Sequence, residues 1–200
     1  EYYPLSLHDA LPIYADNLAV THTYAADPGT LFVARLHVTD AAGETASDDY
    51  RVLVKVKTLD VEVNKAIDDG LWYLYRAKES TGAYFRWNNV RYGNHFNNST
   101  ASAVKAFEIN GHLESGNRDE DPYVDTVRGG IDYLMSQMSS YNIGPHTYGN
   151  PDANGNGIGI TVSGDRPIYE LGAVMHALVA SGTPDAKART GGVNVVGRRY

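Results

Sequence analysis

Two nine-residue stretches, Ala66-Ile-Asp-Asp-Gly-Leu-Trp-Tyr-Leu74 and Thr126-Val-Arg-Gly-Gly-Ile-Asp-Tyr-Leu134, carry one pattern at a spacing of 60 residues. Gly70 falls on Gly130, Leu71 on Ile131, Tyr73 on Tyr133 and Leu74 on Leu134. A second pair follows in the same order: Ala101-Ser-Ala-Val-Lys-Ala-Phe-Glu-Ile-Asn-Gly111 lies over Gly172-Ala-Val-Met-His-Ala-Leu-Val-Ala-Ser-Gly182, at a spacing of 71. The unit is helix, long linker, helix, used twice, and the longer spacing belongs to the second linker, around residues 150–165. Such a repeat constrains the fold strongly, because each unit buries its apolar face only by stacking on the next.

The periodicity agrees. Val63, Ile67, Leu71 and Leu74 share one helical face and predict a helix over 59–78. Ser99 and Thr100 are candidate N-caps of a second helix carrying Ala103, Val104 and Phe107 to about residue 112. Pro122 opens a third, with Val124, Val127, Ile131, Leu134 and Met138 on one stripe. Pro167 precedes a fourth, which shows Leu171, Val174, Met175 and Leu178 and stops near Ser181-Gly182. Residues 58–185 are therefore expected to form an all-α domain.

Upstream the period is 2. Phe32, Ala34, Leu36 and Val38 form a mainly apolar row, Asp40-Ala-Ala-Gly43 supplies turn chemistry, and Tyr50, Val52, Val54 and Val56 resume the alternation. An antiparallel strand pair is expected within 14–57. Residues 1–13 hold two prolines and no sustained period. They resemble translated sequencing-adaptor sequence and are set aside from fold reasoning as a non-native or irregular leader.

Charge and composition exclude some functions. Seventeen Lys and Arg against twenty-four Asp and Glu give a net charge of −7 with no basic stripe, which argues against a nucleic-acid partner. No apolar run approaches the roughly 20 residues that span a bilayer. With no Cys there is neither a disulfide framework nor a thiolate metal site.

Two resemblances follow from these residues. The stretch HTYAADPGTLFVARLHVTDAAGETASDDYRVLVKV, with His22, Thr23, Tyr24, Pro28, Gly29, Val38, Thr39, Asp40 and Gly43 in place, resembles the C-terminal half of a PKD domain, an immunoglobulin-like β-sandwich. The resemblance implies an extracellular or cell-surface setting. GLWYL, AYFRW, TASAVKAFEINGHL, GIDYL and PIYELGAVMHALVASG together resemble the prenyltransferase and squalene-cyclase repeat, whose members form an α/α toroid. The expected fold class is multidomain, β then all-α: a truncated PKD-like β-sandwich over 14–57, two helical hairpins of an incomplete α/α toroid over 58–185, and a truncated C-terminal segment, 186–200. Most family rings need five to seven hairpins, so the remaining hairpins of a parent toroid are expected partners.

The function these resemblances imply is a fragment of a secreted or surface bacterial protein, a presentation module joined to a terpenoid-cyclase-like segment with no intact active site. The alternatives are part of a toroid enzyme, a terpene cyclase or polysaccharide lyase whose catalytic residues lie outside this chain, or a module binding an extracellular glycan or protein.

Several groups are candidate sites. Asp119-Glu-Asp121 resembles the Asp-x-Asp-Asp acid motif of squalene-cyclase-like enzymes, but Pro122 replaces the closing Asp, and acids before a helix complement its dipole. No catalytic residue is expected. Asp152, Asn154 and Asn156 place oxygens at positions 1, 3 and 5 with Gly157 at 6, the spacing of a Ca²⁺ loop, with the Ile158 carbonyl and Asp165 as further ligands. Ser163 stands where an EF-hand has its bidentate Glu, so a plain Asn/Gly turn feeding a short strand of Ile158, Ile160 and Val162 is the competing reading. Tyr84, Trp87, Tyr92 and Phe96 form an aromatic linker that either stacks a ligand or wedges the hairpins together. His146 and His176 have no partner at ligand spacing.

Overall fold

The computed structural model describes residues 23–88, 95–164 and 166–200. The chain divides into two compact units, one ending at Asn64 and one running Lys65–Tyr200.

In the first unit, β1 (Leu31–Thr39) pairs antiparallel with β2 (Thr45–Leu53), Leu31 opposite Leu53 and Thr39 opposite Thr45. Asp40 makes the turn. Its Oδ1 accepts the N–H groups of Ala42 and Glu44 at 2.8 and 2.9 Å, and Gly43 takes a positive φ of 88° that disfavours any side chain. Arg35 grips Asp49 directly across the ladder with two hydrogen bonds, 2.6 and 2.7 Å. Of the apolar row, Phe32 and Ala34 are half-buried, with the Tyr24 ring 4.8 Å from that of Phe32, while Leu36 and Val38 are exposed. Among the described residues this sheet has two strands and no second layer.

α1 (Leu59–Ala77) leads into the second unit, which continues with β3 (Glu79–Thr81), β4 (Tyr84–Arg86), α2 (Phe96–Ile109), α3 (Val124–Ser136), β5 (Met138–Asn142), β6 (Ile158–Val162) and α4 (Pro167–Ala180). The four expected helices are present, but the unit is not all-α, because the linkers close into two short antiparallel ladders, β3–β4 and β5–β6. Met138, expected on the α3 stripe, instead pairs with Val162 on β5 and is buried there. α2 begins at Phe96, so Ser99 and Thr100 lie inside the helix and do not cap it. The Thr100 hydroxyl instead accepts the Trp87 N–H at 3.0 Å, fastening the linker to the helix.

The core lies where α2 meets α3 and α4: Val104, Phe107, Val127, Ile131, Leu134 and Val174 are fully buried. The paired glycines of α3 explain how it fits. A Cβ at Gly129 would overlap the Phe85 ring of β4, and one at Gly130 would overlap Val104 of α2 and lie 3.3 Å from Trp87. Each glycine admits a neighbour on its own side, at the usual helix cost of about 1 kcal/mol. Residues 186–200 fold back on this core, burying Ala188 and Val195, and the Gly192 N–H donates to the Met138 carbonyl at 2.9 Å.

Candidate functional site

The loop at 152–158 is built by its own side chains. Asp152 Oδ1 and Oδ2 accept the N–H groups of Asn156 (3.2 Å) and Gly157 (2.8 Å), Asn154 Oδ1 also accepts from Asn156 (3.2 Å), and Asn156 Oδ1 accepts from Ile158 (2.9 Å). These Asx contacts curl the chain tightly, and positive φ at Gly155 and Gly157 completes the curl. Backbone donors thus occupy one lone pair on the oxygens that the Ca²⁺ reading would use; each carboxylate or amide oxygen keeps another. Asp165 lies outside the described residues. Among the described residues no three His, Cys, Asp or Glu side chains gather to hold a metal.

The described residues of the aromatic linker pack inward. Trp87 is buried, its indole N–H donates to the Leu74 carbonyl at 2.7 Å, and its ring lies 6.3 Å from that of Phe107. It joins the end of α1 to α2, a use that consumes both its apolar body and its polar edge. Tyr84 and Phe96 are half-buried against the same core, and the Arg86 guanidinium sits 3.8 Å over the Phe96 ring. Tyr92 lies outside the described residues.

Asp121 serves local structure. Its Oδ1 accepts the Tyr123 N–H at 2.8 Å ahead of α3, and its Oδ2 lies 3.0 Å from His112 Nδ1. Asp119 sits in the preceding turn, its N–H bonded to Asn117 Oδ1.

A cluster of charge with no local sequence signature gathers at the C-terminal end of α2. Glu108 and Glu114 are both buried. Arg189 donates to Glu114 Oε2 at 2.7 Å and to Asp132 Oδ1 at 2.9 Å, tying the returning C-terminal segment to the α2–α3 connection and to α3. The Arg128 guanidinium approaches the Glu114 carbonyl at 3.5 Å, and Tyr200 stands near the Glu114 carboxylate. Neither Glu108 oxygen has a hydrogen-bond partner among the described residues. Burial, with the Glu114 charge added, pushes the Glu108 carboxyl up to about 8, so it stays protonated at neutral pH. Arg189 is 75 residues from Glu114, a separation no local pattern spans. One signal was present in the sequence: Glu108 continues the face of Ala101 and Val104, an acid on an apolar stripe.

At the other end of α2, Asn97 Nδ2 donates to the buried Glu170 of α4 at 2.8 Å and to the Ser163 carbonyl at 2.6 Å. This contact registers α2 against α4.

The chain matches no protein-family model, no curated protein and no solved structure. No helix among the described residues is long and apolar enough to cross a membrane.

Proposed function

We propose that this chain is a structural part of a secreted or surface bacterial protein, a PKD-like β-module presenting a segment of a terpenoid-cyclase-like α/α ring that holds no intact active site. One observation carries the ring reading. Tyr133 of α3 is 6% exposed and its repeat counterpart on α1, Tyr73, is 70% exposed; a Cβ at Gly130 would overlap α2, whereas among the described residues nothing lies within 4 Å of one at Gly70. The same helix pattern is covered by a neighbour at one position and open at the other, as at the edge of a stack of repeats. Assaying the 200-residue chain with polysaccharides and with polyprene substrates tests the reading. No turnover is expected; turnover of either class would establish the enzyme alternative, and glycan affinity without turnover the binding-module alternative.

Calcium at 152–158 is a second, local reading, favoured by the Asp152 and Asn154 side-chain oxygens meeting at one backbone N–H, that of Asn156. With a single carboxylate in the described loop, affinity no tighter than about 10⁻⁴ to 10⁻³ M is expected. Calorimetric heat from the native chain that Asp152→Ala abolishes supports the site. Equal heats from both, or none, leave a structural turn.

A further inference from the structure

We propose that the helical unit associates head to tail with a second copy of this chain, the outer face of α4 on one copy seating on the face of α1 around Gly70 on the next. The proposal rests on the repeat reading above and names the partner that fits its open ends.

The template is the internal α2–α3 interface, where Val104 fills the notch left by the missing side chain of Gly130 and Thr100 flanks it. In the repeat register α4 puts Met175 at the place of Val104, Leu171 at that of Thr100 and Val179 at that of Glu108. α1 puts Gly70 at the place of Gly130 and Ile67 at that of Val127. Val104 is fully buried, but Met175 is 48% and Val179 75% exposed. One chain thus carries an unused apolar knob at one end of its helical unit and an unused glycine notch at the other.

The chemistry suits the pairing. Met is long and unbranched, so it adapts to a notch shaped for Val. Val179 in place of Glu108 removes the buried acid of the internal interface. On α1, Lys65 and Asp69 pair with each other and Glu62 with Lys57, while α4 carries no Lys, Arg or Asp and its Glu170 is held by Asn97. The two surfaces differ, so the interface is heterologous, and each added copy leaves one knob and one notch free.

Sedimentation equilibrium on the full chain tests this. Two helix faces make a small interface, so a dissociation constant on the order of 10⁻⁵ M is expected, with the mean mass rising above 21.8 kDa as concentration passes it. Met175→Asp and Gly70→Arg should each stay monomeric alone. Mixed one to one they should form a dimer that grows no further, because each keeps the surface the other has lost. A monomeric native chain, a single variant that still associates, or a mixture that stays monomeric would overturn self-association.

Melting temperatures at low concentration separate that failure from failure of the repeat reading. Met175 is half exposed and, among the described residues, nothing lies within 4 Å of a Cβ at Gly70, so neither substitution should lower Tm by much. A monomer with unchanged Tm removes only the second copy; a large fall in Tm at either position means that face is packed within the chain, and the repeat reading goes with it.

Discussion

α1 and α3 share a sequence pattern and differ in almost every consequence of it. α3 is wedged between β4 and α2, and Val124, Thr126, Val127, Ile131, Tyr133, Leu134 and Met135 are all buried. α1 is longer, yet Leu71 is its one buried residue among those described. α2 and α4 repeat the contrast: Glu108 is 4% exposed where its counterpart Val179 is 75% exposed, an acid inside and a valine outside at one register position. Burial here follows from which neighbour is present, with residue type second. A covered repeat position can therefore hold a neutralised acid, and an open one can display an apolar side chain.

The largest effect should come from the shared centre. Phe107→Ala should cost about 3–5 kcal/mol in denaturant unfolding and its counterpart Leu178→Ala about 2–4, since both truncate side chains in the core. If Leu178→Ala costs nothing, the register relating α2 to α4 is wrong.

That register was readable in the sequence because Phe107 and Leu178 sit on matching helical stripes that end in Gly111 and Gly182, both with positive φ. The helices were legible for the same reason, and so was the β1–β2 hairpin, through strict alternation and the Asp40–Gly43 turn. Of the two short ladders only one strand was legible, β6, through the alternation of Ile158, Ile160 and Val162; Tyr84–Arg86 and Met138–Asn142 are too short for a period to declare itself. Trp87 could be identified as a wedge or a platform but not decided between them, since its N–H partner, the Leu74 carbonyl, is a backbone atom with no sequence signature. The Glu108–Glu114–Arg189 cluster depends on the chain returning from residue 189 and was beyond any local pattern.

Glu108 sharpens the comparison through pH. Its folded value of about 8 exceeds the ordinary 4.5, so the folded state holds the proton more tightly than the unfolded one. Glu114 is the charge that acts on Glu108; Arg189 and Tyr200 stand beside Glu114, and from α3 Arg128 reaches the Glu114 carbonyl and Asp132 pairs with Arg189. From α4, His176 and Tyr169 are exposed, and Glu170 is engaged with Asn97. Stability from this residue is full below about pH 4.5, falls as pH rises toward 8, and is flat above. Glu108→Gln keeps the neutral form at every pH and should exceed the native chain by roughly 3 kcal/mol at pH 9, at about 1.4 kcal/mol per unit with allowance for residual solvation. Parallel stability–pH curves for the two proteins would contradict the buried, protonated assignment.

The tyrosine pair divides the two helices more directly. Tyr133→Ala should cost about 2–3 kcal/mol and Tyr73→Ala less than about 0.5. The glycine pair should differ in sign. Gly130→Ala overlaps Val104 and should destabilise by about 1–3 kcal/mol, whereas Gly70→Ala, with open space around it among the described residues, should gain roughly 0.5–1 kcal/mol of helix propensity. Two effects of the same sign and size would mean that α1 and α3 have equivalent surroundings.

Native-state amide hydrogen exchange on the intact chain at low concentration tests that difference without any substitution. Protection through Val127–Met135 of α3 should match global unfolding, while Lys65–Leu74 of α1 exchanges through a smaller, local opening. Equal protection along both helices would contradict the account, because it would require α1 to be as fully covered as α3.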